Sequence, residues 1–152
     1  MEKSSADNVI QFLIFKLGTE EYGLDIRKVT TIIEKNMSIA RVPHTPEFLI
    51  GVINLRGEII PVMDLRKRFA MPEIDDTDDT RIIIIKIDDV AMGIVVDMVS
   101  EVIDLTEDSI EKINRFSSSY TNDYIMGAAK LEDRIVTLLN LEELLVITHS
   151  ET

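Results

Sequence analysis

Two histidines are the side chains best suited to acid–base or metal chemistry in this sequence. His44 lies between Pro43 and Pro46, and no second histidine follows it at the spacing of a helical metal pair. His149 lies close to the end of the sequence. Neither has a carboxylate or a nucleophile at a spacing that indicates a catalytic triad. The sequence therefore predicts no metal site and no histidine-based catalysis.

A run of acidic residues from Glu73 to Thr80 is the other group that could bind a cation. Five of its eight residues are carboxylates. The glycine and the distal glutamate of the twelve-residue calcium loop are missing, however. Because the run also has almost nothing to bury, we expect a solvated linker over residues 73–80 instead.

The remaining residue types favour binding over catalysis. There is no cysteine, and the six glycines are scattered singly rather than grouped in a phosphate-binding loop. The seven methionines are spread along the chain, which favours core packing over an adaptable binding surface. The sequence therefore predicts a binding protein with no enzymatic activity, no cofactor and no metal.

The stretch from Gly51 to Leu65 is the most informative local pattern. Two apolar runs flank a polar centre that contains Asn54, Arg56 and Gly57. This pattern predicts strand, tight turn and strand, with Gly57 supplying a positive φ. Pro61 in the second run indicates an edge strand or a bulge, because proline cannot donate to a ladder. We expect Arg56 at the tip of a rigid hairpin, within reach of a partner.

Composition and charge bound the class of protein. The chain is 45% hydrophobic and 29% charged, which is ordinary for a globular domain. Its polar first nine residues do not form a secretory signal, and no apolar run approaches the ~20 residues that span a bilayer. The net charge of −12 argues against nucleic acid as a partner. We expect a cytoplasmic protein.

The charge is unevenly placed along the chain. Residues 1–75 carry 10 basic and 11 acidic side chains, whereas residues 76–152 carry 6 and 17. The asymmetry either orients different partners on the two halves or serves solubility alone.

The sequence repeats itself weakly. A shift of 70 positions matches Lys16 with Lys86 and Gly23 with Gly93, and a shift of 76 matches Gly51 with Gly127. With many short strands and turn signals about every 8–12 residues, the repeat predicts two similar β-units packed as small barrels. The wholly apolar run from Ile82 to Ile85 indicates a strand covered on both faces, and we expect the sister barrel to provide a cover.

This repeat gives a domain division. We expect a flexible N-terminus over residues 1–9, a first barrel over 10–72, the acidic linker, a second barrel with a C-terminal helix over 81–147, and a tail over 148–152. Where the first unit has Asn54, Arg56 and Gly57, the second has Lys130, Glu132 and Asp133, so the two units are expected to face different partners.

Four ordered motifs resemble the CheW family of bacterial chemotaxis coupling proteins. They are the stretches Gly51–Arg66, Glu20–Ile26, Thr45–Phe48 and Gly93–Asp97. The resemblance runs from about Gln11 to about Leu145.

The resemblance implies both a fold and a function. The implied fold is all-β: two tandem SH3-like, five-stranded β-barrels packed on a shared hydrophobic core, with short helices. The implied function is that of a non-enzymatic adaptor, recruited from the cytoplasm to arrays in which it couples the cytoplasmic tips of chemoreceptors to the regulatory domain of the histidine kinase CheA. The alternatives are the same scaffold role in a parallel motility or surface-sensing pathway, or a small-ligand-binding β-barrel, which would need a deep pocket with convergent polar groups.

The resemblance also implies a set of coupling residues. Positions associated with receptor or kinase coupling match Val29, Ile33, Gly51, Asn54, Arg56 and Gly57. Positions that line the groove between the barrels match Val99 and Val102, where an amphipathic helix of the receptor would lie. Ile33 and Val102 could equally belong to the core, Arg56 could form a structural ion pair, and the two glycines could serve backbone shape alone.

Overall fold

The structure is a computed structural model that describes residues 8–112 and 124–145. Eleven strands occur in these ranges: β1 Val9–Leu17, β2 Glu20–Asp25, β3 Val29–Glu34, β4 Leu49–Leu55, β5 Glu58–Asp64, β6 Arg81–Ile87, β7 Val90–Val96, β8 Met98–Thr106, β9 Ile110–Lys112, β10 Ile125–Leu131 and β11 Arg134–Leu139. The short helices are α1 Leu65–Arg68 and α2 Leu141–Leu144, and single 3₁₀ turns cover Ile26–Lys28 and Glu107–Ser109. Most of the predicted N-terminal segment and the whole predicted tail lie outside the described residues, although Val9 already belongs to β1.

Hydrogen bonding divides the strands between two sheets. A six-stranded sheet has the order β8-β1-β2-β11-β10-β9, and a five-stranded sheet has the order β3-β6-β7-β5-β4. We call the first body barrel A and the second barrel B. The prediction of an all-β protein with two SH3-like barrels is confirmed. Barrel A, however, has six strands rather than five.

The tandem division of the chain is wrong. Barrel B consists of the continuous segment β3 to β7, and barrel A combines β1 and β2 with β8 to β11. Each repeat unit therefore gives its first hairpin to the other unit's sheet. The repeat showed that the two units resemble each other. The sequence offset between them cannot predict which strands pair, however, because equivalent hairpins fit either sheet.

The acidic run consequently does not link the two barrels. Residues 73–80 contain no helix or strand, and they connect α1 to β6, both of which belong to barrel B. Glu73 forms an ion pair with Lys67, and the Asp76 carboxylate lies 2.6 Å from the Lys35 ammonium. The chain crosses between the barrels at two other places, the turn Ile26–Lys28 and the single residue Asp97.

Buried side chains form one shared core and one core inside each barrel. The shared core contains Phe15, Tyr22 and Leu24 from barrel A together with Ile83 and Ile94 from barrel B. Ile82 and Ile84 point instead into the core of barrel B. The alternation confirms that the run Ile82–Ile85 is covered on both faces, and that the sister barrel provides one of the covers.

Side-chain caps begin both short helices. Asp64 caps α1 by accepting a hydrogen bond from the Lys67 backbone N–H at 3.3 Å, and Asn140 caps α2 in the same way. The sequence predicted an edge strand or a bulge at Pro61. β5 is not an edge strand, because it lies between β4 and β7, but its pairing register with β4 slips next to Pro61, where Leu49 and Gly51 pair with Met63 and Val62. Pairing of β5 with β7 begins only at Val62, so Pro61 has a strand neighbour on one side only and no ladder bond is lost there.

Candidate partner-binding surface

The turn between β4 and β5 has the geometry that the sequence predicts. Arg56 and Gly57 form a two-residue connection, with φ values of 55° and 86°, and Leu55 pairs with Glu58. Positive φ at both central residues matches the twist of the two strands and is the usual conformation of a tight hairpin. The Asn54 side-chain carbonyl accepts a hydrogen bond from the Gly57 backbone N–H at 3.0 Å. Asn54 and Gly57 thus fix the shape of the turn.

Arg56 is presented at the tip of this hairpin. Its side chain is exposed, and it forms no hydrogen bond or ion pair with any residue in the described ranges. The alternative that Arg56 makes a structural ion pair therefore finds no support in the described part of the chain. A guanidinium on a rigid turn can meet an acidic partner at little conformational cost.

Gly51 lies on β4 where another backbone segment approaches it. Ala40 forms two backbone hydrogen bonds with Val52, at 2.8 and 2.9 Å. A Cβ at position 51 would lie 2.3 Å from the Ala40 carbonyl oxygen. The repeat-equivalent Gly127 is in the same situation, because a Cβ there would lie 2.6 Å from the Glu111 carbonyl oxygen. The fold thus requires glycine at position 51.

The aliphatic candidates occupy two equivalent edge strands, β3 and β8. Each strand follows a crossing between the barrels, and in each the pairing register slips by one residue, next to Val29 in β3 and next to Val99 in β8. Val29 and Val99 are both half-buried against the shared core. Beyond the slip in β3, the inward-facing side chains point into barrel B instead. Ile33 packs half-buried against the core of that barrel.

Val102 is a surface residue. Its side chain is 47% exposed on β8, whereas the neighbouring Ile103 packs inward. The repeat places Ile32 at the equivalent position of β3, and Ile32 is 37% exposed. Sequence reasoning missed Ile32, although the 70-residue shift from Val102 would have indicated it. The structure therefore brings Val29 and Val99 to one core and leaves one exposed aliphatic side chain on each edge strand.

The surface charge follows the barrels rather than the halves of the sequence. Residues 26–97, which hold barrel B, carry 10 basic and 12 acidic side chains. The other described residues, which hold barrel A, carry 4 basic and 12 acidic side chains. Barrel A is therefore the strongly acidic body, and the exposed Arg56 lies on the nearly neutral one.

An ion pair ties the barrels together at the crossing residue Asp97. Its carboxylate accepts hydrogen bonds from the Arg66 guanidinium at 2.7 to 3.2 Å and from the Gly18 backbone N–H at 2.7 Å. Burial alone would raise the pKa of Asp97, but these hydrogen bonds and the charge of Arg66 outweigh it and hold the pKa below its usual value. Arg66 follows β5 of barrel B and Gly18 lies in the β1–β2 turn of barrel A, so the network joins both bodies.

Aromatic rings continue this connection. The rings of Phe15, Tyr22, Phe69 and Tyr124 follow one another with centroids 5.6, 5.7 and 5.8 Å apart; the first and last pairs are stacked, and the middle pair is tilted by 39°. Phe69 follows α1 of barrel B, whereas the other three rings belong to barrel A. The Arg68 guanidinium lies 4.3 Å from the Phe48 ring centroid and 4.7 Å from that of Tyr124. Sequence reasoning missed this stack, which indicates that the barrels are held as one body.

Within residues 8–112 and 124–145, no group of three or more histidine, cysteine, aspartate or glutamate side chains is arranged to hold a metal ion. In the same ranges, no helix is long and apolar enough to cross a membrane.

Comparison with known proteins places the chain among chemotaxis proteins. A family model described as a CheW-like domain matches residues 11–148. The chemotaxis protein CheW of Klebsiella aerogenes is 40% identical over 135 residues, which cover 89% of this chain and 81% of that protein. The chemotaxis protein CheW of Bacillus subtilis is 36% identical, with coverage of 89% and 86%.

A solved structure agrees with these sequence matches. The crystal structure of the scaffolding protein TtCheW from Thermoanaerobacter tengcongensis superposes with a TM-score of 0.85 and 39% identity, covering 95% of this chain and 98% of that one.

Proposed function

Because this chain belongs to the CheW family, we propose that it is a non-enzymatic chemotaxis adaptor that couples the cytoplasmic tips of chemoreceptors to the regulatory domain of a CheA-type histidine kinase. It works in the cytoplasm, at the receptor arrays. The same scaffold role in a motility or surface-sensing pathway differs only in the identity of the receptor and the kinase.

The observation that carries this proposal is the exposed Arg56 on its fixed turn. An adaptor needs a surface whose shape does not change on binding, because ordering a flexible loop costs binding free energy. Asn54 and Gly57 shape this turn, and Gly51 lets the backbone at Ala40 pack closely against β4. We assign the kinase contact to this hairpin, with Arg56 as the polar anchor and the other three residues as its support.

The receptor contact belongs to the two edge strands. Val29 and Val99 begin β3 and β8 at the shared core, and Val102 is exposed farther along β8. An amphipathic helix that lies across these strands would bury Val102 and the outer faces of the two valines. Ile33 supports the surface from within barrel B rather than touching the helix.

Calorimetric titration against the isolated CheA regulatory domain of the same organism tests the assignment of Arg56. We expect Arg56→Glu to weaken binding by about 1–3 kcal/mol, because a charge-assisted contact is lost and a repulsive charge is introduced. The thermal unfolding midpoint should not change, since Arg56 has no partner in the described residues.

The repeat supplies a matched control for this titration. Glu132 occupies the position of Arg56 in barrel A, is likewise exposed, and has a φ of 51°. Glu132→Arg reverses a charge on an equivalent turn and should leave kinase binding unchanged. Weaker binding in Arg56→Glu matched by stronger binding in Glu132→Arg would mean that net charge, not this hairpin, governs the contact. Binding retained by Arg56→Glu would move Arg56 to the receptor side, and the absence of binding to any kinase or receptor fragment would refute the adaptor role.

A further inference from the structure

A cavity of about 350 Å³ opens beside the shared core. Its walls include the rings of Tyr22, Phe69 and Tyr124, and Thr137 lies next to Tyr22 because β11 and β2 pair in parallel there. Glu20 stands at the exposed rim. The volume lies within the range of small-molecule sites in proteins, which are mostly apolar with a few oriented polar groups.

The polar groups of this cavity carry one net negative charge. The Tyr22 hydroxyl donates a hydrogen bond to the Glu20 carboxylate at 3.0 Å. Burial, followed by this hydrogen bond and the charge of Glu20, raises the pKa of Tyr22 to about 12. The phenol therefore stays neutral near pH 7 and leaves Glu20 as the charged group among the lining residues. The nearby Arg66 is compensated by its ion pair with Asp97.

The repeat shows that the fold does not require these polar residues. The shifts of 70 and 76 place Val90 at the position of Glu20, Met92 at that of Tyr22, and Pro61 at that of Thr137. Strand pairing supports this equivalence, since β5 pairs in parallel with β7 just as β11 pairs with β2. The same architecture is thus built in barrel B with apolar residues alone, so the polar set in barrel A calls for another explanation.

We propose that this cavity binds a small arylalkyl ammonium ligand, with the aromatic ring against Phe69 and Tyr22 and the ammonium group at Glu20. Aromatic rings pack favourably against one another, and a carboxylate at the rim pairs with the ammonium group and fixes the orientation of the ligand. The site is separate from the Arg56 hairpin and from the exposed face of β8, and it does not depend on the adaptor role.

Titration of the ¹⁵N-labelled chain with phenethylammonium, 2-phenylethanol and 3-phenylpropionate tests the proposal. The three probes share an aromatic ring and differ in charge. We expect saturable amide shifts at Tyr22, Tyr124 and Thr137, and an affinity for the cation about tenfold higher than for the alcohol. The anion is the informative competitor, because Arg68 lies over the Tyr124 ring.

Two variants complete the test. Glu20→Gln keeps the size of the side chain and should remove the roughly tenfold preference for the cation. Glu58→Gln is the matched control, because Glu58, like Glu20, is the first residue of a strand that follows a two-residue turn. This variant should retain the preference for the cation. The absence of saturable shifts, an anion that binds as tightly as the cation, or an unchanged preference in Glu20→Gln would each overturn the proposal. None of these results depends on kinase or receptor binding.

Discussion

Gly51→Ala separates a requirement of the fold from a contact with a partner. The new Cβ would lie 2.3 Å from the Ala40 carbonyl oxygen and 2.7 Å from the Ile39 Cγ2 atom, and the backbone at position 51 has a φ of 150°. The first of these neighbours is backbone, which cannot rotate away as a side chain can. The strand β4 must therefore move away from the segment that contains Ala40, and the two hydrogen bonds between Ala40 and Val52 will lengthen.

The size of the effect follows from these contacts. Overpacking costs about 1–3 kcal/mol, and strain at an unfavourable backbone conformation adds about 1–3 kcal/mol. Gly57→Ala serves as the comparison, because a Cβ there meets no atom within 4 Å and only the φ of 86° is unfavourable. That substitution should cost about 1 kcal/mol. For a chain of this length each kcal/mol lowers the unfolding midpoint by about 2–4 °C.

Thermal unfolding and kinase titration of both variants decide whether Gly51 serves the fold or contacts the partner. We expect Gly51→Ala to lower the midpoint by about 10 °C and Gly57→Ala by only a few degrees. The titration is carried out well below the thermal unfolding midpoint, so that the variant is folded. Any loss of affinity of Gly51→Ala for the kinase domain should then reflect only the distortion of the hairpin. A Gly51→Ala protein with the wild-type midpoint and no kinase binding would refute the reasoning, because Gly51 would then touch the partner.

Two further predictions concern the crossing between the barrels and the edge strand. Asp97→Asn should lower the free energy of unfolding at pH 7 by about 1–3 kcal/mol, because the ion pair with Arg66 is lost. Because the pKa of Asp97 is held below its usual value in the folded chain, the ionised carboxylate stabilises the fold at pH values above the ordinary carboxyl pKa. This stability is lost as the pH falls through the pKa of the folded state. The difference in the free energy of unfolding between variant and wild type should therefore shrink below about pH 4. Urea unfolding at pH 7 and pH 3 measures this, and equal gaps would contradict it. Val102→Asp should weaken binding of a receptor-tip fragment about tenfold without changing the midpoint, whereas Val42→Asp, at a site of similar exposure on barrel B, should bind normally. Equal losses in the two variants would point to charge alone.

Local patterns in the sequence predicted the elements well. The hairpin around Arg56 and Gly57 formed as expected, because turn chemistry acts between residues that are neighbours in the chain. The apolar run at Ile82–Ile85 is covered on both faces, which a continuous run of buried residues requires.

The exchange of hairpins between the barrels could not be predicted in this way. Strand pairing is decided by contacts between residues far apart in the chain, and the two units present nearly the same apolar pattern to either sheet. The acidic run looked like a boundary because of its composition, yet the crossing at Asp97 is a single residue with no compositional signal.

The candidate site was predicted in part for similar reasons. The tip residue Arg56 followed from the turn, but the exposure of Val102 and the packing of Ile33 depend on a register slip that the sequence does not reveal. The aromatic stack also escaped detection, because Phe69 and Tyr124 lie far along the chain from the hairpin that holds Phe15 and Tyr22.

The exchanged hairpins affect how this protein is made. Strands β1 and β2 leave the ribosome early, but their sheet neighbours β8 and β11 begin only at Met98 and Arg134. At typical rates of synthesis, the apolar strand β1 waits on the order of ten seconds for its neighbours. Neither repeat unit expressed alone contains a complete sheet, so bisecting the chain near residue 76 should give two insoluble halves. Co-expression of those halves should restore a soluble complex.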